Sequence, residues 1–171
     1  VIQVVLGELT GVGAEAVLRP VGGDLDAVTP LSRRVGLEAG EGVRRRLEAT
    51  GELPVGGAVV TPGGGLSATF LIHVVIQSRE EPSSPETVRR ALQNGLRQAT
   101  DWGVQRLALP PLGTGAGHLD AEASAAVMVP VIAAHLAGAP LPREVTLVVG
   151  SQYEEQAFRG EVERLGQERG G

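Results

Sequence analysis

Arg106-Leu107-Ala108-Leu109-Pro110-Pro111-Leu112-Gly113-Thr114-Gly115-Ala116-Gly117-His118 runs from an apolar stretch, through two prolines, into a cluster of glycines. Val104 to Leu109 reads as a buried strand, and Asp120 as the N-cap of an alanine-rich helix, so the glycines join a strand to a helix. At such a junction glycine lets the backbone approach a bound group closely, and the N–H groups of the loop together with the helix dipole favour an anion. A diphosphate fits that chemistry. Tight strand-to-helix turns also select glycine on steric grounds alone. The dinucleotide fingerprint is excluded, because it needs glycine where His118 stands and normally opens the first strand-to-helix unit. A P-loop is excluded as well, since no Gly-Lys-Ser/Thr follows.

Outward from this loop, short apolar runs alternate with helical periodicity. Val1–Leu6, Ala16–Leu18, Ala58–Thr61, Thr69–Gln77 and Val145–Val149 read as further strands, the fourth apolar on both faces and therefore central. Thr29-Pro30 starts a helix that continues through the arginines to Ala49, stopped by Gly51 and Pro54. Ser84-Pro85 opens the clearest helix, with Val88, Leu92, Leu96 and Ala99 on one face. Pro130 is expected to kink or split the helix after Asp120. Ser151 and Glu154 form a capping box for a last helix to about Leu165. This order predicts a three-layer α/β/α sandwich around a mixed, mostly parallel central sheet. One domain over residues 1–166 and a flexible tail over 167–171 are expected.

The chain has 171 residues, 42% of them hydrophobic, which suffices for one core without metal or disulfides. It has no cysteine, and all 15 cationic side chains are arginine, so thiolate zinc sites, cysteine or lysine nucleophiles and Schiff bases are excluded. A net charge of −5 argues against a broad grip on nucleic acid. Arg44-Arg45-Arg46 is the only basic run and reads as a solvated helix face. With no uninterrupted apolar stretch of membrane length and no signal-peptide pattern, the expectation is a cytoplasmic protein with no membrane partner.

Several stretches in order resemble the macro domain, the α/β/α module that binds ADP-ribose and in some members hydrolyses its esters and conjugates. Gly7-Glu8-Leu9-Thr10 looks like the family's Gly-Asp-Ile-Thr, Ala14–Leu18 like its second motif strand, Leu71-Ile72-His73-Val74 like its Val-Ile-His strand, and Ala108–Gly117 like its second phosphate loop. The resemblance covers Val1 to about Phe158. It implies that Glu8 accepts a hydrogen bond from the adenine amino group, that Leu9 packs on the base, and that Gly113, Thr114, Gly115, Ala116 and Gly117 hold the diphosphate. His118 stands at the loop mouth, where it contacts phosphate, acts as an acid or base, or serves the helix entry. Tyr153 either stacks on adenine or is an ordinary surface or core tyrosine.

Two departures bear on function. Where the family has Asn-Ala-Ala-Asn, this chain reads Arg19-Pro20-Val21-Gly22, which leaves only Gly22 as a ligand-contacting position there. Where the family has its first glycine loop, it reads Ala27–Arg33, with bulk and a proline. The distal half of the pocket is therefore in question, and Arg19, Arg33 or Arg34 is the candidate to compensate by pairing with phosphate. No catalytic residue, metal ligand or cofactor is assigned. The histidines lack metal spacing: His73 reads as a core histidine and His135 as solvent-facing. Glu80-Glu81 reads as surface charge, and Gly63-Gly64-Gly65 has the wrong spacing for a glycohydrolase signature. The leading expectation is a binding module for ADP-ribose or an ADP-like molecule. Its alternatives are an ADP-ribosyl hydrolase and a degenerate fold acting through protein contacts as a homo-oligomer.

Overall fold

The computed structural model describes residues 1–115 and 119–170. Six strands form one sheet in the order β1-β6-β5-β2-β4-β3: β1 (Ile2–Leu6), β2 (Ala16–Gly22), β3 (Ala58–Pro62), β4 (Phe70–Gln77), β5 (Arg106–Leu109) and β6 (Glu144–Val149). All neighbours pair in parallel except β3 with β4, which run antiparallel across the Gly63-Gly64-Gly65 turn. The helices are α1 (Pro30–Ala39), α2 (Glu41–Thr50), α3 (Pro85–Asp101), α4 (Ala121–Gly138) and α5 (Gln152–Gly170).

The alternation of side chains along each strand sorts the core into two layers. Ile72, Val74 and Ile76 of β4 and Leu18 of β2 join Leu92, Leu96, Met128 and Phe158, so α3, α4 and α5 cover one face. Leu71, Val75, Val17 and Val21 join Val35, Val43 and Leu47, so α1 and α2 cover the other. Each large aliphatic side chain fully withdrawn from water contributes about 1.5–3 kcal/mol. The expected three-layer sandwich with a mixed, mostly parallel sheet is what forms.

Four local expectations are corrected. The helix from Pro30 breaks at Gly40, whose φ of +96° ends α1 and begins α2. Strand β2 runs on past Leu18 to Gly22 despite Pro20, because beyond Val17 it pairs with β4 alone and the missing N–H costs no second ladder. Helix α4 continues through Pro130 as one element, held by packing against α3 and α5. Helix α5 continues through Gly170 instead of ending near Leu165, on a last turn tied by Arg164 to Glu161 and Glu168. By length and composition α4 would also qualify as a membrane span, but it lies between α3 and α5 with Met128, Val129 and Ile132 buried in the core.

The glycine triplet is structural and sits at the sheet edge opposite the carboxyl ends of the parallel strands. Gly64 has φ +62°, a Cβ on it would strike the Ala39 carbonyl oxygen, and Gly65 N–H donates to that same oxygen at 2.9 Å. We expect Gly64→Ala to lower the unfolding free energy by about 2–4 kcal/mol, through left-handed strain plus the clash. Gly160→Ala is expected to raise it by about 0.5–1 kcal/mol, since no atom lies within 4 Å of a Cβ there. Urea midpoints at constant m-value check both.

Candidate functional site

Five parallel strands bring Leu6, Gly22, Gln77, Leu109 and Val149 to one edge of the sheet, and the loops that follow them enclose the candidate site. After β1, Gly7 N–H donates to the Val149 carbonyl at 3.1 Å and the chain turns through a 3-10 turn, Leu9–Gly11. This anchors Leu9, which is buried, and leaves Glu8 exposed at the rim. A crevice of about 440 Å³ opens here, lined by Glu8, Leu9, Leu31, Arg34, Val149 and Gly150. Apolar walls with one carboxylate and one guanidinium at the mouth suit a flat heterocycle carrying an amino group. Leu31 and Arg34 went unrecognised in the sequence as part of this crevice. Their i,i+3 spacing after the Thr29-Pro30 helix start was the available signal.

Tyr153 stands outside that set. It is half-exposed on the first turn of α5, and loss of hydration together with Glu122 and Asp120 raises its phenol above the ordinary value. The turn that carries it is held by Glu154, whose carboxylate accepts from Gly150 N–H at 2.8 Å while its own N–H donates to Ser151 Oγ at 3.2 Å. The capping-box residues are those expected, but the carboxylate reaches the residue before the N-cap.

The glycine loop leaves β5 under tight control. Leu112 is fully buried, its carbonyl accepts from Ser124 Oγ at 2.7 Å, and its N–H meets Met128 Sδ at 3.2 Å. Gly113 follows with φ +82°, and a Cβ on it would lie 2.8 Å from Leu119 Cδ1. Gly115, with φ +73°, comes close to Thr29, its Cβ position being 3.6 Å from Thr29 Cγ2. Thr29 is the N-cap of α1, accepting from Ser32 N–H at 3.1 Å. The half-buried Thr114 and the exposed Gly115 thus stand beside the positive end of α1, with Gly115 within van der Waals reach of Thr29. Ala116, Gly117 and His118 lie outside the described residues.

The segment after β2 makes no matching cradle. Gly22 N–H donates to Asp26 O at 2.9 Å, Leu25 N–H to Gly22 O at 2.8 Å and Asp26 N–H to Asp24 Oδ1 at 3.0 Å, so the turn uses these donors on itself. Leu25 takes φ +68° to close it. Beyond the turn lies a cavity of about 1110 Å³ between Gly22–Val28, Glu52–Val55 and Gln77–Glu81, with Asp24, Asp26, Glu52 and Glu80 among its lining. Glu81 of the Glu80-Glu81 pair is bound to Arg90.

Arg19 turns to the opposite side from the glycine loop. It lies under α1 and α2, where its Nε donates to His73 Nδ1 at 3.0 Å and its Nη1 to the Ser32 carbonyl at 2.9 Å. Because His73 Nδ1 accepts, the ring proton sits on Nε2, which donates to Thr61 Oγ1 at 2.9 Å, and that hydroxyl donates to Pro62 O at 3.0 Å. Burial without an ion-pair partner pushes the guanidinium down to about 10, Asp26 acting against the shift. Burial, aided by the Arg19 charge, pushes His73 down to about 3. Of the three arginines considered for phosphate, Arg19 is thereby committed elsewhere, Arg33 faces the groove between α1 and α2, and Arg34 lines the Glu8 crevice. His135 is half-buried rather than solvent-facing, its Nε2 lying 2.9 Å from both Thr100 Oγ1 and Leu141 O. Among the described residues no three His, Cys, Asp or Glu side chains converge to hold a metal ion.

A family profile described as Macro domain matches residues 20–128. An uncharacterised protein of Aeropyrum pernix is 34% identical over 94% of this chain and 82% of its own length. An O-acetyl-ADP-ribose deacetylase of Enterobacter cloacae is 27% identical over 98% of this chain and 96% of its own. The Oceanobacillus iheyensis macrodomain with ADP superposes with a TM-score of 0.85 at 18% identity, covering 96% of this chain and 91% of that one.

The neutral His73 fixes a pH dependence. The unfolded chain protonates this histidine below about pH 6.5 and the folded chain does not, so its share of stability is present above 6.5 and drains away as the pH falls toward 3. The loss runs at about 1.4 kcal/mol per pH unit. Between pH 7.5 and 4.5, NMR of the ring is expected to report an unchanged neutral Nε2–H tautomer. A protonation midpoint near 6.5 in the folded protein would contradict the buried arrangement.

Proposed function

The chain belongs to the macro domain family, and from that premise we propose that it binds ADP-ribose or an ADP-like nucleotide along the carboxyl edge of its sheet. The observation that carries this reading is the approach of Gly115 to Thr29, which sets a glycine loop against the positive end of α1. In this reading the adenine enters the Glu8 crevice between Leu9 and Leu31, its amino group donating to Glu8. The diphosphate lies between Gly113–Gly115 and the first turn of α1. The distal ribose meets only the backbone of Gly22 and the self-bonded turn after it. The O. iheyensis macrodomain, of the same fold, has ADP bound.

The distal half is then weak. Two side-chain hydrogen bonds absent from it are worth about 1–3 kcal/mol each, and about 1.4 kcal/mol is a factor of ten in affinity. The distal ribose is accordingly expected to add little to the affinity of the ADP part. Calorimetric titration to millimolar ligand should give saturable binding of both, within about tenfold of one another. Gly115→Glu, which sets a carboxylate and a disfavoured φ at the diphosphate, should weaken both at least 30-fold while the protein stays folded by its melting curve. Absence of saturable heat with either ligand would refute nucleotide binding.

A second reading is hydrolysis of an ADP-ribosyl ester or conjugate. The carboxylates Asp24, Asp26 and Glu80 around the distal cavity favour it, since one of them could take a proton from an attacking water. Release of acetate from O-acetyl-ADP-ribose with turnover would select this reading, and stoichiometric binding without release would select the first.

A further inference from the structure

Arg19 is 4% exposed, yet its guanidinium is only half partnered. Nε is taken by His73 and one Nη1 N–H by the Ser32 carbonyl, while Nη2 has no hydrogen-bond partner among the described residues. Nη2 is not sealed in the interior either, because among the described residues the buried unpartnered side-chain nitrogens and oxygens are Ser83 Oγ and Arg90 Nε. It opens into a cavity of about 520 Å³ between α1, α2 and the turn Asp24–Ala27, a size at which small ligands are held. The cavity shares that turn as a wall with the distal cavity but contains none of the glycine loop or the Glu8 crevice.

Gly36 makes room for this arrangement. A Cβ there would lie 2.7 Å from Arg19 Nη1, 3.3 Å from Cζ and 3.5 Å from Nη2, so the guanidinium lies against bare backbone of α1. Glycine inside a helix is disfavoured against alanine, and here the space it leaves is what brings the buried charge to the cavity.

The lining carries Arg19, Arg33 and Arg44 against Asp24, Asp26, Glu41 and Glu48, so an anion would be held by the free edge of Arg19 rather than by the net charge of the walls. Arg44 is held between Glu41 and Glu48 and offsets one of their two charges. Asp24 accepts from the Asp26 N–H. Arg33 lines the cavity, exposed and without an ion pair among the described residues, and the carboxylates of Asp24 and Asp26 oppose the two arginines. A guanidinium edge with free N–H groups matches the two oxygens of a carboxylate or phosphate.

We propose that this cavity is a second ligand site, in which the free edge of Arg19, closed over by Arg33, holds a small oxyanion, the carboxylate or phosphate group of a metabolite. The burial of Arg19, which lowers its proton affinity although Asp26 acts against the shift, is the state that such an anion would relieve.

The probes are malonate and inorganic phosphate, each titrated at constant ionic strength into protein labelled with nitrogen-15, with calorimetry in parallel. The proposal expects saturable binding of at least one, with NMR shifts centred on the Arg19 Nε–H and the Gly36 amide. Tighter binding of malonate assigns a carboxylic acid, and tighter binding of phosphate a phosphorylated ligand. Since Arg19 belongs to a buried network, the variant of choice is Arg33→Glu, at an exposed position. It should weaken the anion at least tenfold and ADP by far less. The proposal is overturned if neither anion saturates, if the shifts fall on Gly113–Gly115 instead, if ADP displaces the anion, or if Arg33→Glu binds it as well as the wild type.

Discussion

Everything at the site follows from the burial of β2. Its seven residues, Ala16–Gly22, are all withdrawn from water, including an arginine and a proline. A guanidinium in such a strand needs partners inside the protein, and Arg19 finds them for two of its three nitrogens, across the sheet in His73 of β4, itself bonded to Thr61 of β3, and upward in the Ser32 carbonyl of α1. Ser32 in turn gives its hydroxyl proton to Pro20 O at 2.6 Å, tying the start of α1 to the strand beneath it. This cross-layer set of hydrogen bonds ties the N-terminus of α1 to β2, and the first residues of α1 wall the Glu8 crevice. Breaking one partner would leave a buried polar group unpaired, at about 1–3 kcal/mol.

The same network divides the two loops into unequal halves. The loop after β5 is shaped by Gly113 and Gly115, both with positive φ, and kept in register by Leu112 on Met128 and Ser124. Its glycines leave backbone free to meet a ligand. The turn after β2 spends its donors on its own carbonyls and on Asp24, and buries Leu25. It forms a wall where the second loop forms a cradle. In the proposed binding mode the edge is therefore well furnished on its adenine and diphosphate side and sparse on its distal side.

Much of this was legible in the sequence because the relevant signals are local. Strand and helix order, the caps at Thr29, Ser84 and Asp120, and the strand-glycine-helix junction all follow from residue type at short spacing, and each cap is made. The sequence failed where tertiary context decides. Pro20 looked like the end of a strand, yet one open edge of β2 tolerates it. Pro130 looked like a break, yet packing on two helices carries α4 through it. The direction of Arg19 had no local signal, because it depends on whether its alternating position faces α1 or α3. In hindsight Gly36, an unexplained helical glycine 17 positions on, was the mark left by that side chain.

The most direct test is a crystal structure of the protein grown with ADP-ribose. The account predicts adenine between Leu9 and Leu31 with its amino group on Glu8, diphosphate between Gly113–Gly115 and the first turn of α1, and a distal ribose bound by backbone alone. Nucleotide located away from this edge, or a distal ribose gripped by the Arg19 guanidinium after it has left His73, would contradict it.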